Sequence, residues 1–116
     1  SFIKDAKKQT FGPIKKFKVK AESFKNILKW AELIKMDVEG LEAELISSIK
    51  YKDLMNKEII LEVGSKTNAE KIFKHSKKNK FYLFSQKIGW KLVKNIKHMP
   101  ISYKEGSLII SSKNNI

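Results

Sequence analysis

The chain has 116 residues, 41% hydrophobic and 10% aromatic, with 25 basic against 12 acidic side chains and a net charge of +13. That length holds one domain and one core, and the composition fits a folded chain, with no apolar run near the roughly 18 residues that a membrane span needs. Cysteine is absent, which excludes disulfides and thiolate metal sites and permits a reducing compartment, so a cytoplasmic location is expected.

In chain order, residues 1–16 read as a loop or irregular lead-in ending in Phe11-Gly12-Pro13. Lys4, Lys7 and Lys8 are not followed by the apolar stretch of a signal peptide, and the Ser1 start points to a processed or truncated product. Phe17 to Ala21 alternates apolar and polar residues, the period of a half-buried strand. Ser23 is placed to cap a short helix with Phe24, Ile27 and Leu28 on one face. Ala31 to Met36 reads as a strand. Leu41, Leu45 and Ile49 then stack one side of a helix, leaving Glu42 and Glu44 on other faces.

Glu58 to Val63 reads as a second strand, continuous enough in apolar residues for a parallel strand covered on both faces. Thr67 or Asn68 opens a helix with Ala69, Ile72, Phe73 and Ser76 inward and Lys71, Lys74, Lys77 and Lys78 outward. A third strand is expected at Phe81 to Phe84. Gly89-Trp90 breaks the run, and 90–98 fits either a strand or a short helix. Ile101 to Tyr103 and Ser107 to Ser111 read as a closing hairpin turning at Glu105-Gly106. Strand and helix alternate over 17–112, so the expected fold is α/β, a mostly parallel sheet with an antiparallel carboxyl-terminal hairpin.

Every basic residue is Lys, and their distribution is uneven. Residues 66–97 carry ten Lys and one acid, whereas 31–62 carry four Lys and eight acids. Arg is the side chain of bidentate phosphate and guanine contacts, so its absence weakens sequence-specific recognition of nucleic acid. The lysine faces are most economically a solvated surface, with weak, salt-sensitive polyanion binding as the functional alternative.

The strand that ends in Met36 opens into Asp37-Val38-Glu39-Gly40. In open α/β sheets ligands bind at the carboxyl ends of strands, which makes Asp37 and Glu39 candidate catalytic residues. Against that stands the plain role of acids that cap the following helix. Glu42 fits a solvated helix residue or a partner for a nearby Lys. Glu62, buried on its pattern, needs a partner if charged and faces either the same cleft or a strand-end cap. His75 reads as exposed, and His98 lacks a visible partner. Trp30, Phe73, Phe81, Tyr82, Phe84 and Trp90 read as core rather than as a base-stacking platform. No spacing of metal ligands extends beyond Asp37-x-Glu39.

Lys35-Met36-Asp37-Val38-Glu39-Gly40-Leu41-Glu42 resembles the Lys-Ile-Asp-Val-Glu-Gly-x-Glu signature of the FkbM-type S-adenosylmethionine-dependent methyltransferases, with Met36 for Ile the departure. Val19 to Leu28 is similar to the family's Val-x-x-x-Ser-Leu-Asp-Asp-Ile-Leu segment, with Lys25 where the family has Asp. Ile60 to Val63, Phe81-Tyr82 and Leu108 to Ile110 look like its later strands. The resemblance implies a partial Rossmann-like methyltransferase sheet that begins just before the fourth strand. It implies S-adenosylmethionine as cofactor, with Asp37 and Gly40 at the cofactor, Asp37 and Glu39 in catalysis, and Glu42 and Glu62 toward a hydroxyl-bearing acceptor such as a sugar. The five Gly, at 12, 40, 64, 89 and 106, form no Gly-rich cofactor loop. The chain is therefore expected to be inactive alone, and its open edge to pair with a second copy or with the missing amino-terminal half. The other reading is a non-enzymatic basic α/β domain that binds polyanions or a protein partner through its Lys faces.

Overall fold

The structure, a computed structural model, describes residues 21–114. Among these, the elements in order are α1 (Ala21–Trp30), β1 (Leu33–Met36), α2 (Glu42–Ser47), α3 (Tyr51–Leu54), β2 (Glu58–Glu62), α4 (Lys66–Asn79), β3 (Tyr82–Ser85), β4 (Lys91–Leu92) and β5 (Ser107–Ser111). Short 3₁₀ turns lie at Gln86–Ile88, Ile96–His98 and Tyr103–Glu105. The lead-in over 1–16 and the strand expected at Phe17 to Ala21 lie outside the described residues except for Ala21, which is helical.

The strands form one sheet in the order β1-β2-β5-β3-β4. β1 and β2 are parallel, in register from Leu33 opposite Glu58 to Met36 opposite Leu61. The other neighbours, β2 with β5, β5 with β3 and β3 with β4, are antiparallel. The expectation of a mostly parallel sheet is thus corrected to a mixed sheet with one parallel pair. β5 is the cause. It inserts between β2 and β3, which run the same way, so α4 crosses over one strand position in joining them.

The closing hairpin is corrected as well. Ile101 to Tyr103 forms no ladder, because the Glu105 carboxylate accepts the Ile101 N–H at 2.7 Å and the chain turns at Tyr103–Glu105. Gly106, at φ +95°, then reverses into β5, and the Gln86 side chain takes the Ser107 N–H at 2.8 Å.

Alternation along the strands explains the layers. Ile34, Met36, Ile59, Leu61, Leu83, Leu108 and Ile110 face one side and share a core with Phe24, Leu28, Leu45, Ile46, Ile49, Leu54, Ala69 and Ile72 of the helices. Lys35, Ile60, Ile109 and Phe84 fall opposite one another on the other side. There Lys35 is exposed, Ile60 and Ile109 half-buried, and Phe84 buried apart from the main core. β2 is therefore fully covered on one face, not on two.

Element ends follow local chemistry. Ser23 lies inside α1 rather than at its cap, since the helix is already formed at Ala21. The Ala31 N–H bonds the Ile27 carbonyl at 3.0 Å, which extends the helical ladder and delays β1 to Leu33. The helix expected through Ile49 ends at Ser47, and the separate turn α3 follows. α4 starts at Lys66 because Ser65, not Thr67 or Asn68, caps it by accepting the Asn68 N–H at 3.1 Å. Lys80 closes that helix in the left-handed conformation, which moves β3 one residue on, to Tyr82–Ser85.

Candidate functional site

β1 and β2 end side by side. One step beyond the Met36–Leu61 pair, Asp37 and Glu62 occupy neighbouring strand ends, whose backbones a sheet holds about 4.8 Å apart. With Lys35, Met36, Ile60, Leu61 and Ser107 they line a cavity of about 190 Å³. Asp37 is half-buried and Glu62 exposed. The buried, mid-strand Glu62 of the sequence pattern is thereby corrected: it is the last residue of β2, where the chain leaves the sheet. Glu39 is exposed on the loop that follows β1 and does not line the cavity.

Glu42 departs furthest from expectation. It is 1% exposed, not a solvated helix residue. One carboxylate oxygen accepts the Gly40 N–H at 2.6 Å and the Tyr103 hydroxyl at 3.2 Å. The other accepts the Asn68 side-chain N–H at 3.1 Å and the Gly64 N–H at 3.4 Å. Tyr103 also accepts from the Gly40 N–H at 3.0 Å. One buried acid thus ties together the loop after β1, the loop after β2, the start of α4 and the turn before β5. Both oxygens are engaged, so a substrate would have to displace these donors to reach Glu42.

Two glycines make the brace fit. Gly40 has φ +85° and open space around its missing Cβ, so its role is conformational, and its N–H is engaged internally rather than offered to a ligand. At Gly64 a Cβ would overlap the Tyr103 ring, so the absence of a side chain lets the ring approach the backbone. Burial raises the Tyr103 pKa above its ordinary value; the Gly40 N–H opposes this, and the Glu42 charge adds to it. The sequence reads Asn68 as a helix opener and Tyr103 as a strand residue, and nothing local to either announces that both converge on Glu42. Gly64, directly after a strand, was the one readable hint.

Elsewhere the histidines have structural partners. His75 is half-buried, not exposed: Nε2 lies 2.7 Å from the Ile49 carbonyl oxygen, and the ring stands edge-on to Phe81. His98 accepts the Lys94 N–H through Nδ1 at 3.0 Å. Lys71, Lys74, Lys77 and Lys78 are exposed, as expected. Of the aromatic residues assigned to the core, Phe81 and Phe84 are buried, whereas Trp30, Tyr82 and Trp90 are 62%, 36% and 41% exposed. No three potential metal ligands cluster among the described residues, and no helix there is long and apolar enough to cross a membrane.

No family model matches the chain, and neither a curated protein nor a solved structure does.

Proposed function

We propose that the chain is the carboxyl-terminal half of an FkbM-type S-adenosylmethionine-dependent O-methyltransferase, inactive without the remainder of the cofactor site. The observation that carries the reading is the pairing of Asp37 and Glu62 around one cavity at the carboxyl ends of the parallel pair β1 and β2. In a doubly wound sheet of order 3-2-1-4-5-6, the fourth strand lies between the first and the fifth. As the fourth and fifth strands, β1 and β2 would leave the outer edge of β1 for the first strand, and among the described residues that edge is unpaired.

The cavity fits one wall of a cofactor site. Its acids suit a ligand that carries a sulfonium and an ammonium, and the absent Gly-rich turn belongs to the opposite wall. When bound, the cofactor supplies an electrophilic methyl group. Asp37 would hold the acceptor hydroxyl in line and take its proton, with Glu62 orienting a second hydroxyl of a sugar-like acceptor. Glu39 is a weaker catalytic candidate because it lies outside the cavity. Gly40 and Glu42 shape the loop instead of touching ligand.

Calorimetric titration of S-adenosylmethionine and S-adenosylhomocysteine into the chain tests this, alone and with an added amino-terminal half from an FkbM-type enzyme. The expected result is no saturable binding alone and binding with the added half, lost in Asp37→Ala. Binding that is indifferent to Asp37→Ala, or none under either condition, would remove the support.

A second reading is favoured by the exposed Lys71, Lys74, Lys77 and Lys78 on α4. As a polyanion-binding domain the chain would bind with steep salt dependence, unaffected by Asp37→Ala and weakened by Glu at Lys74, Lys77 and Lys78.

A further inference from the structure

Between Glu70 and Glu105 the chain contains no Asp or Glu and ten Lys. Lys87 is neutralised by Glu105, with Nζ 3.4 Å from Oε1. Lys91, Lys94 and Lys97 are exposed. The 3₁₀ turn Ile96–His98, which carries Lys97, packs against α4.

Within this stretch Trp90 is anomalous. It is 41% exposed and belongs neither to the core nor to the half-buried residues packed on it. Its backbone sits at φ +64°, directly after Gly89 at +73°. Those two left-handed residues bring the chain from the Gln86–Ile88 turn into β4, and the Trp90 N–H closes the turn on the Ser85 carbonyl at 2.8 Å. The other non-Gly residues with positive φ have ordinary reasons. Asn56 is a type that tolerates the region, and Lys80 caps a helix. At position 90 a Gly would serve the turn better, and a bulky side chain is a true outlier. The turn geometry gives no reason for an indole there.

We propose that Trp90, with Lys91, Lys94 and Lys97, forms a stacking platform for single-stranded nucleic acid. The indole offers its face to a base while the lysines meet the flanking phosphates. Stacking on an aromatic face is tolerant of sequence, as is contact between point charges and phosphates, so a surface without Arg suits this mode. The platform rests on the Lys-face reading for its charge and is independent of the methyltransferase reading.

Trp30→Phe leaves Trp90 as the sole tryptophan, and its fluorescence can be followed while oligo-dT of fifteen nucleotides, inorganic polyphosphate or anionic phosphatidylserine vesicles are added. We expect oligo-dT to quench it saturably, with a log–log salt slope of about −2 for three lysine–phosphate contacts. Polyphosphate should bind without quenching. By calorimetric titration, which does not depend on the indole, Trp90→Ala should weaken oligo-dT about tenfold, Trp90→Phe should retain most of the affinity, and polyphosphate should bind all three proteins alike. Trp90→Gly is the control for a structural role, expected to lose oligo-dT affinity while Tm rises or holds. Four outcomes would overturn the platform: oligo-dT affinity unchanged in Trp90→Ala, a lowered Tm in Trp90→Gly, an indole response to vesicles alone, or no binding of oligo-dT. The first leaves the Lys-face reading standing; binding of neither oligo-dT nor polyphosphate removes both.

Discussion

The brace around Glu42 depends on the match of donors to acceptor more than on shape. All four of its partners reach it as donors: two backbone N–H groups, an amide N–H and a hydroxyl. The Tyr103 oxygen already accepts from Gly40, so its own proton is directed at Glu42. Glu42→Gln keeps the volume but places an NH₂ against two of these donors whichever way the amide turns. We expect it to destabilise the fold by about 2–4 kcal/mol, read from denaturant unfolding, because buried donors lose a charged acceptor. Equal stability of the Gln variant would mean that the acid is solvated. In the sequence, Asp37 at a strand mouth was legible because a short apolar run ends there. Glu42 was not, because one position inside a helix says nothing about which distant donors converge on it. Gly64, Asn68 and Tyr103 lie 22, 26 and 61 residues away.

Local signals place elements well when the determining contact lies within a turn of chain. The buried stripe of Ala69, Ile72 and Ser76 has helical spacing, and α4 follows it. The ends of that helix allow a prediction with two signs. Ser65→Ala removes the acceptor of the Asn68 N–H and should cost about 1 kcal/mol. Lys80→Gly relieves a left-handed residue with φ +61° whose own N–H still reaches the Ser76 carbonyl, and should gain about 0.5–1 kcal/mol. Thermal unfolding of the pair checks both, and a loss in Lys80→Gly would show that the Lys side chain matters more than its backbone. β5 shows where local reading ends. Its alternation announces a strand, but its slot between β2 and β3 is set by partners from both, so a hairpin was the natural expectation. Likewise, an apolar strand signal in Ile101 to Tyr103 is overridden by one carboxylate on one N–H.

On the scale of the whole molecule, charge and edge pull in opposite directions. β1 is an outer strand of the described sheet, and Leu33 on it is 56% exposed, so its outer edge, unpaired among the described residues, offers a template for another strand. A net charge of +13 opposes the approach of a second copy. Salt shortens the Debye length from about 10 Å at 0.1 M to about 3 Å at 1 M and removes most of that repulsion. Edge pairing between copies should therefore strengthen as salt rises, the reverse of its effect on any polyanion bound by the lysines. Light scattering at rising protein concentration, in 0.1 M and 0.5 M salt, separates the two. We expect a mass that moves toward the dimer, more completely at the higher salt, and that returns to the monomer in Leu33→Lys, which puts a charge on the pairing strand. A dimer that dissolves in salt would assign association to ionic contacts away from β1. A monomer throughout would leave the edge for a different chain, as the methyltransferase reading requires of its missing half.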